Sequence, residues 1–253
     1  MLREWISHRL TPAGPAAKRL GYVREAVAIE ARYRRCHRAW KDHLDRTRRF
    51  VLWAAANCPR QDKVTILGSG GLFDVPLDDL AEDFEEVVLV DLVQTPRVRQ
   101  WAAQYENVTL VEDDVTGLVE ALAADGTAPA EPPTPHIPEG DADLVVSLNL
   151  LGQLPLIPAR FAAPDKAAAF AEQVQRQHLR ALQALPGRVC LITETAREWV
   201  ADGEVEETEP ALGEIKLPEP EAAWIWNLAP APELEADRDL RLRIAAYTNL
   251  FRK

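Results

Sequence analysis

The sequence is poor in cysteine and contains no long apolar run. Its three cysteines, Cys36, Cys58 and Cys190, form an odd and widely spaced set without a C-x-x-C pair. This spacing favours reduced, buried thiols over a disulfide framework or a zinc site, so no metal is expected. Residues 1–10 alternate charged and apolar types, which argues against a signal peptide or a membrane-spanning helix. We therefore expect a cytoplasmic protein that does not enter a membrane.

Positive charge predominates only near the start of the chain. Residues 1–61 hold 14 Lys and Arg against 5 Asp and Glu, whereas the remainder holds 15 against 35, for a net charge of -11. A basic arm on an acidic body could meet an anionic partner, such as nucleic acid or an acidic substrate. Alternatively, its outer face is solvated or complements its own domain. Nucleic-acid binders are usually basic over the whole domain, so a nucleic-acid partner is not expected.

Apolar periodicity divides the chain into two parts. Residues 1–61 are predicted as a helical extension because apolar residues recur at three-and-four spacing between Trp40 and Ala54. Residues 62–253 alternate short apolar runs with amphipathic helices, which predicts one α/β domain with a mostly parallel sheet covered on both faces. Residues 125–141 are a Pro-rich insertion and residues 202–221 an acidic arm, predicted as a loop. The predicted strands are 64–67, 87–91, 108–111, 144–148, 188–193, 223–228 and 240–247.

Candidate ligand-binding residues follow the first three predicted strands. An open parallel sheet binds ligands beyond the carboxyl ends of its strands, where the strand order reverses. The turn Gly68-Ser69-Gly70 comes after the first strand and lets a ligand approach the backbone closely. Asp91 ends the second strand, 23 residues beyond Gly68, and its carboxylate could accept two hydrogen bonds from a ribose diol. Asp114, after the third strand, could accept from an adenine amino group, cap the next helix, or do both.

These three strand ends, with Val64-Thr65-Ile66-Leu67 leading into the glycine turn, resemble the class I S-adenosylmethionine-dependent methyltransferases. The resemblance covers about residues 63–253. It implies a doubly wound, seven-stranded, mostly parallel sheet whose last strand is antiparallel. It also implies that S-adenosylmethionine binds, with Gly68, Ser69 and Gly70 near its methionine and ribose parts, Asp91 at the ribose hydroxyls and Asp114 facing adenine.

Further side chains are candidates for contact with a ligand. Asn149, after the fourth strand, could contact substrate or cofactor, or cap its own loop. His43 could act as a general base only if its imidazole faced the transferred methyl group, and packing of the helix is the alternative. Trp224 and Trp226 share one strand face and, with Trp199, could line an apolar pocket below the acidic arm or simply pack in the core. No catalytic residue is assigned, and a small-molecule or protein substrate remains open.

Three further classes of function are weighed against methyl transfer. A non-catalytic protein that keeps the fold to bind a nucleotide or a partner would explain Ile66, where the family commonly has an acid, and the long loop from Leu72 to Val75. A nicotinamide-dependent oxidoreductase would need glycine at Phe73, and a serine hydrolase would need glycine at Leu67. Methyl transfer to an unidentified acceptor is therefore the leading hypothesis, with the non-catalytic protein as the alternative.

Overall fold

A computed structural model describes residues 11–251. The expectation about residues 1–10 lies outside the described residues. Within this range, none of the helices combines the length and the apolar character that crossing a membrane requires.

Eight strands form one mixed sheet in the order β3-β2-β1-β4-β5-β8-β7, with β6 paired to β5 beside this path. The first five strands run parallel, β8 is antiparallel to β5, and β7 is antiparallel to β8. This confirms the predicted doubly wound sheet with an antiparallel last strand. The strands are β1 Lys63–Leu67, β2 Glu86–Asp91, β3 Val108–Glu112, β4 Leu144–Leu148, β5 Arg188–Ala201, β6 Glu204–Pro210, β7 Ala222–Ala229 and β8 Asp239–Tyr247.

Helices cover both faces of the sheet. The helices are α1 Pro15–Leu20, α2 Tyr22–Ala56, α3 Leu77–Asp83, α4 Pro96–Ala102, α5 Val119–Asp125 and α6 Ala167–Gln183, with a 3₁₀ turn at Pro158–Phe161. One core contains residues of α2, α3 and α4, and the other contains residues of α5 and α6 against the opposite face. The central strands are mostly apolar because both of their faces are buried, as expected for parallel strands.

The acidic arm contains strand β6, which is additional to the seven predicted strands. The sequence predicts a loop here. β5 continues to Ala201, well beyond the end of β4, and β6 pairs antiparallel with this extension. Asp202 and Gly203 make the reversal with φ of 50° and 86°, the left-handed conformation that tight hairpins require. All of β6 is exposed, so its residues show no alternation of apolar and polar types. The Asp-Gly pair is the one local signal in the sequence that indicates a hairpin here.

The long helix α2 connects the core to the carboxyl edge of the sheet. Its 35 residues span about 52 Å at 1.5 Å per residue. Toward its C-terminal end, Phe50, Val51 and Ala54 pack in the main core. Toward its start, Tyr22 contacts the small cluster formed with α5 and Leu92, beyond the ends of β2 and β3. The part of the predicted helical extension within residues 11–61 is therefore packed against the sheet and covers part of its carboxyl edge.

The carboxylate of Asp143 ties the start of β1 to β4. Its Oδ2 accepts backbone hydrogen bonds from Asp62 at 3.0 Å and Lys63 at 3.2 Å, and its Oδ1 accepts from Arg60. We expect Asp143→Ala to lower the free energy of unfolding by about 1–3 kcal/mol because two backbone N–H groups and Arg60 lose a charged acceptor. Asp141→Ala is the matched control, since this side chain is 80% exposed and forms a surface ion pair with Lys63. Urea unfolding that gave both variants the same loss would contradict the prediction.

Candidate functional site

The strand order reverses at β1, which lies between β2 and β4, and the glycine turn leaves the sheet at this point. Gly68 and Gly70 have φ of 78° and 51°. A Cβ on Gly68 would lie 3.0 Å from the Leu148 carbonyl oxygen and 3.1 Å from Leu150, so the turn packs tightly against the loop after β4. A Cβ on Gly70 would have no atom nearer than 3.9 Å. Open space therefore lies beside Gly70.

Asp91 lies at the end of β2 and contacts this turn directly. Its Oδ2 accepts the backbone N–H of Gly70 at 2.8 Å, and its Oδ1 accepts that of Val93 at 3.3 Å. Burial raises the pKa of the Asp91 carboxyl, and these backbone donors oppose the rise. A carboxylate offers about four lone-pair sites. Asp91 thus keeps capacity for further donors, such as hydroxyl groups of a ligand.

Asp114 caps the turn that leads into α5. Its Oδ1 accepts the backbone N–H and the hydroxyl of Thr116, at 2.9 and 2.6 Å, and its Oδ2 accepts the backbone N–H of Val119 at 2.7 Å. The sequence suggests Asp114 as the N-cap of this helix, but that position is held by Leu118; Asp114 instead stabilises the preceding turn and accepts from Val119, the first helical residue. Three of about four lone-pair sites are occupied, which leaves one on Oδ2. Tyr22 lies close by, and burial together with the charge of Asp114 raises the pKa of its phenol.

The rest of the loop after β1 is buried against helices. Ser69 is fully buried, and its Oγ has no hydrogen-bond partner among the described residues. Phe73 stacks on Tyr33 of α2, with ring centroids 4.0 Å apart and planes 19° from parallel. The Arg97 guanidinium lies 4.8 Å from the centre of the Phe73 ring. The loop that the sequence marks as long therefore serves to anchor α2 over the turn.

A polar cluster, formed by His43, Asp74, Asn149 and Trp224 and called the His43 cluster below, lies beyond the end of β4. Asp74 is partly buried and the other three residues are buried. The Trp224 indole donates to His43 Nδ1 at 3.0 Å. Asn149 Nδ2 lies 3.3 Å from His43 Nε2 and 2.7 Å from Asp74 Oδ2. Asn149 Oδ1 is buried and has no partner among the described residues. Four separate segments of the chain thus meet in one polar cluster.

Burial controls ionisation in the His43 cluster. It lowers the pKa of His43 to about 3, so this imidazole is neutral at neutral pH. Burial also raises the pKa of Asp74, while the hydrogen bond from Asn149 and the nearby charge of Arg48 oppose the rise. A neutral, 1% exposed imidazole cannot exchange protons readily with water. The structure therefore supports a packing and hydrogen-bonding role for His43.

The three tryptophans do not line one pocket. Trp224 and Trp226 pack against α2, where Trp226 stacks on His43 with ring centroids 4.0 Å apart. Trp199 lies elsewhere, 5.0 Å from the Arg238 guanidinium. A cavity of about 640 Å³ does lie beneath the acidic arm, and Trp224 is the member of the set that contributes to its wall. Core packing, the alternative offered by the sequence, holds for Trp224 and Trp226.

Sequence reasoning missed Asp74 as a site residue. It follows the glycine turn in a segment without periodicity, and its partner Asn149 is 75 residues away. The structure brings Gly68, Ser69, Gly70 and Asp91 together at one turn, with Asn149 on the adjoining loop, whereas Asp114 lies toward α5. No group of three or more His, Cys, Asp and Glu side chains within residues 11–251 is arranged to hold a metal ion.

A scan against protein-family models finds no match, and neither does a search of curated proteins. Among solved structures, the chain is similar to the 1,6-didemethyltoxoflavin-N1-methyltransferase of Burkholderia thailandensis with bound 1,6-didemethyltoxoflavin and S-adenosylhomocysteine. The identity is 16%, over 89% of this chain and 90% of that one, with a TM-score of 0.40. It is also similar to the N-methyltransferase NodS of Bradyrhizobium japonicum in complex with S-adenosylhomocysteine, at 13% identity over 81% and 86%, TM-score 0.38. These neighbours are S-adenosylmethionine-dependent methyltransferases.

Proposed function

We propose that this protein binds S-adenosylmethionine at the carboxyl edge of its sheet and transfers the methyl group to an acceptor molecule. The observation that carries the proposal is the pairing of Asp91 with the Gly70 backbone at the point of strand reversal. Two solved structures to which the chain is similar hold S-adenosylhomocysteine, the product of such a transfer. We propose the same ligand class for this chain.

The residues present fit this cofactor. The space beside Gly70 would admit the part of the cofactor that lies against the glycine turn. Asp91 would accept hydrogen bonds from the ribose hydroxyls with its remaining lone pairs. The free lone pair of Asp114 would face the adenine amino group, and Asn149 and Ser69 would satisfy their unpartnered atoms on the ligand. When bound, S-adenosylmethionine supplies a methyl group already activated on a sulfonium.

The chain's own contribution would be to exclude water and to orient the two reactants. The part of helix α2 from Tyr22 to His43 covers the carboxyl edge of the sheet. Contacts of this helix with Phe73 and Thr95 hold it in place. Glu30 of α2 accepts the Thr95 hydroxyl at 2.7 Å, with both groups buried. Because the methyl group is already activated, aligning the bound acceptor with it provides most of the rate acceleration for such a transfer.

Isothermal titration with S-adenosylmethionine and S-adenosylhomocysteine tests the proposal. We expect both ligands to bind, and Asp91→Asn to weaken binding by about 10–100-fold, because charged hydrogen bonds to the ligand become neutral ones. Asp79→Asn, a change of the same charge at an exposed position of α3, should leave the affinity unchanged. Absence of binding at millimolar ligand would refute the proposal and favour the non-catalytic protein.

A further inference from the structure

The hydrogen bonds of the His43 cluster determine where its protons lie. An indole N–H can only donate, so His43 Nδ1 must accept from Trp224. A neutral imidazole carries one proton, which must then be on Nε2. The end of the Asn149 amide that faces Nε2, 3.3 Å away, must therefore be an acceptor. In an amide this acceptor is the oxygen, and the hydrogen-bond network decides which end it occupies because the two ends have nearly the same shape.

The same end of the Asn149 amide lies 2.7 Å from Asp74 Oδ2. Two oxygens make so short a contact only when one of them carries a proton between them. The distance is the usual one for an O–H···O hydrogen bond. Asp74 must then be a neutral carboxylic acid that donates to Asn149.

The surroundings of Asp74 agree with a neutral acid. Burial raises its pKa, while the backbone N–H of Asp74 and the charge of the Arg48 guanidinium oppose the rise. The hydrogen bond with Asn149 opposes the rise only when the amide nitrogen faces the carboxyl, and it does not do so once the amide oxygen takes that place. Arg48 donates instead to the Phe73 carbonyl oxygen, and its closest ion-pair partner is Asp45 on its own helix. The other titratable group of the cluster, His43, is neutral.

This arrangement leaves the Asn149 nitrogen as the unpartnered atom. With the amide turned in this way, the nitrogen occupies the buried position assigned above to Oδ1, which has no hydrogen-bond partner among the described residues. Asn149 directly follows Leu148, whose carbonyl oxygen would lie 3.0 Å from a Cβ on Gly68, so the backbone that carries this amide packs against the glycine turn. An unsatisfied buried N–H destabilises the folded chain. A ligand oxygen at this place would remove that destabilisation.

We propose that Asp74 is held as a neutral acid that donates to Asn149, and that the Asn149 amide nitrogen thereby forms a donor subsite for a carbonyl or carboxylate oxygen of a ligand at the glycine turn. The first half concerns the protein alone. The second half rests on the proposed function, because it requires a ligand at the turn. The two halves are therefore tested separately.

Unfolding as a function of pH tests the neutral acid. The unfolded chain ionises Asp74 near its ordinary pKa, whereas the folded chain keeps it protonated, so wild type loses stability as pH rises. Relative to Asp74→Asn, its unfolding constant should rise about tenfold for each pH unit above about 4, until the folded carboxyl ionises. Asp79→Asn should show no such divergence. Parallel profiles for wild type and Asp74→Asn would overturn the assignment.

Spectroscopy on wild type decides the same point if Asp74→Asn does not fold. Infrared spectra at pH 7 should contain the carbonyl band of a protonated carboxyl in a position removed from solvent exchange. Nitrogen-15 resonances of His43 should show the neutral form with its proton on Nε2. A spectrum without the protonated-carboxyl band, or with His43 protonated on Nδ1, would overturn the proposal.

Titration with S-adenosylhomocysteine tests the donor subsite. Asn149→Asp keeps an acceptor for His43 and Asp74 but removes the donor, so we expect the affinity to fall at least about 30-fold, with the far-ultraviolet dichroism unchanged. Asn57→Asp, at the exposed end of α2, is the control. Equal binding by wild type and Asn149→Asp would overturn the subsite and leave the proposed function intact. If wild type fails to bind, the proposed function fails, while the pH profiles still decide the state of Asp74.

Discussion

Replacing Gly70 by alanine is expected to leave the protein folded and to weaken the binding of S-adenosylmethionine and S-adenosylhomocysteine by at least about 100-fold, or about 2.8 kcal/mol. The added methyl group meets no protein atom nearer than 3.9 Å, so the folded chain can accommodate it. It projects into the space that a ligand would occupy beside the turn. The substitution should therefore lower the affinity for the ligand far more than it lowers the free energy of unfolding.

The left-handed backbone of Gly70 gives this experiment a matched control. With φ of 51°, an alanine there costs about 1–2 kcal/mol of folding free energy whatever surrounds it. Gly126 ends α5 with φ of 68°, and a Cβ at this position would have no atom within 4 Å, so Gly126→Ala carries the same backbone cost away from the site. Both variants should lose similar stability in urea, and only Gly70→Ala should lose affinity. Equal affinities for the two variants would show that no ligand approaches Gly70.

Local sequence patterns were sufficient to predict most of the sheet and the turn. Strands β1 and β2 are largely apolar because both of their faces are buried, the turn with Gly68 and Gly70 follows the first, and Asp91 ends the second. Their mutual contact follows from topology, since the carboxyl ends of parallel strands share one edge. The 2.8 Å bond between Gly70 and Asp91 is thus an expected result of the strand order.

The His43 cluster could not be predicted in the same way. His43 and Asp74 contact Asn149 from segments 106 and 75 residues distant in sequence, and Trp224 is 181 residues from His43. Only the packing of α2 across the sheet brings them together. The sequence offered a packing histidine and a general base as alternatives, and neither specifies which group donates a proton to which.

Strand β6 was missed for a different reason. Its residues are all exposed, so hydrophobic burial does not select its conformation and no alternation is present. The strand forms because β5 extends beyond β4 and has a free edge, which a hairpin through Asp202 and Gly203 supplies with backbone partners. Backbone pairing of this kind depends on the length of a neighbouring strand, which the apolar run of β5 underestimates.

Acidification from pH 7.5 to 5 is expected to remove about 4 kcal/mol of stability through His43 and His178. Burial lowers the pKa of His43 to about 3 and that of His178 to about 4. In the unfolded chain both titrate near 6.5, so only unfolding lets them take up protons between these values. Stability is therefore complete above about pH 6.5 and is lost as pH falls. The raised pKa values of Asp74 and Asp91 act in the opposite direction and reduce the net loss.

Variants isolate the contribution of each histidine. His178 is buried, with its Nε2 3.0 Å from the Ser147 hydroxyl, so His178→Gln will cost stability at every pH. That packing cost cancels when the change between pH 7.5 and 5 is compared with wild type, and we expect each of His43→Gln and His178→Gln to reduce this change by about 2 kcal/mol. The exposed His37→Gln should reduce it by much less. If all three variants keep the wild-type change in urea unfolding, the buried histidines are not what makes the fold sensitive to acid, and carboxylates that are paired in the folded state must account for the loss instead.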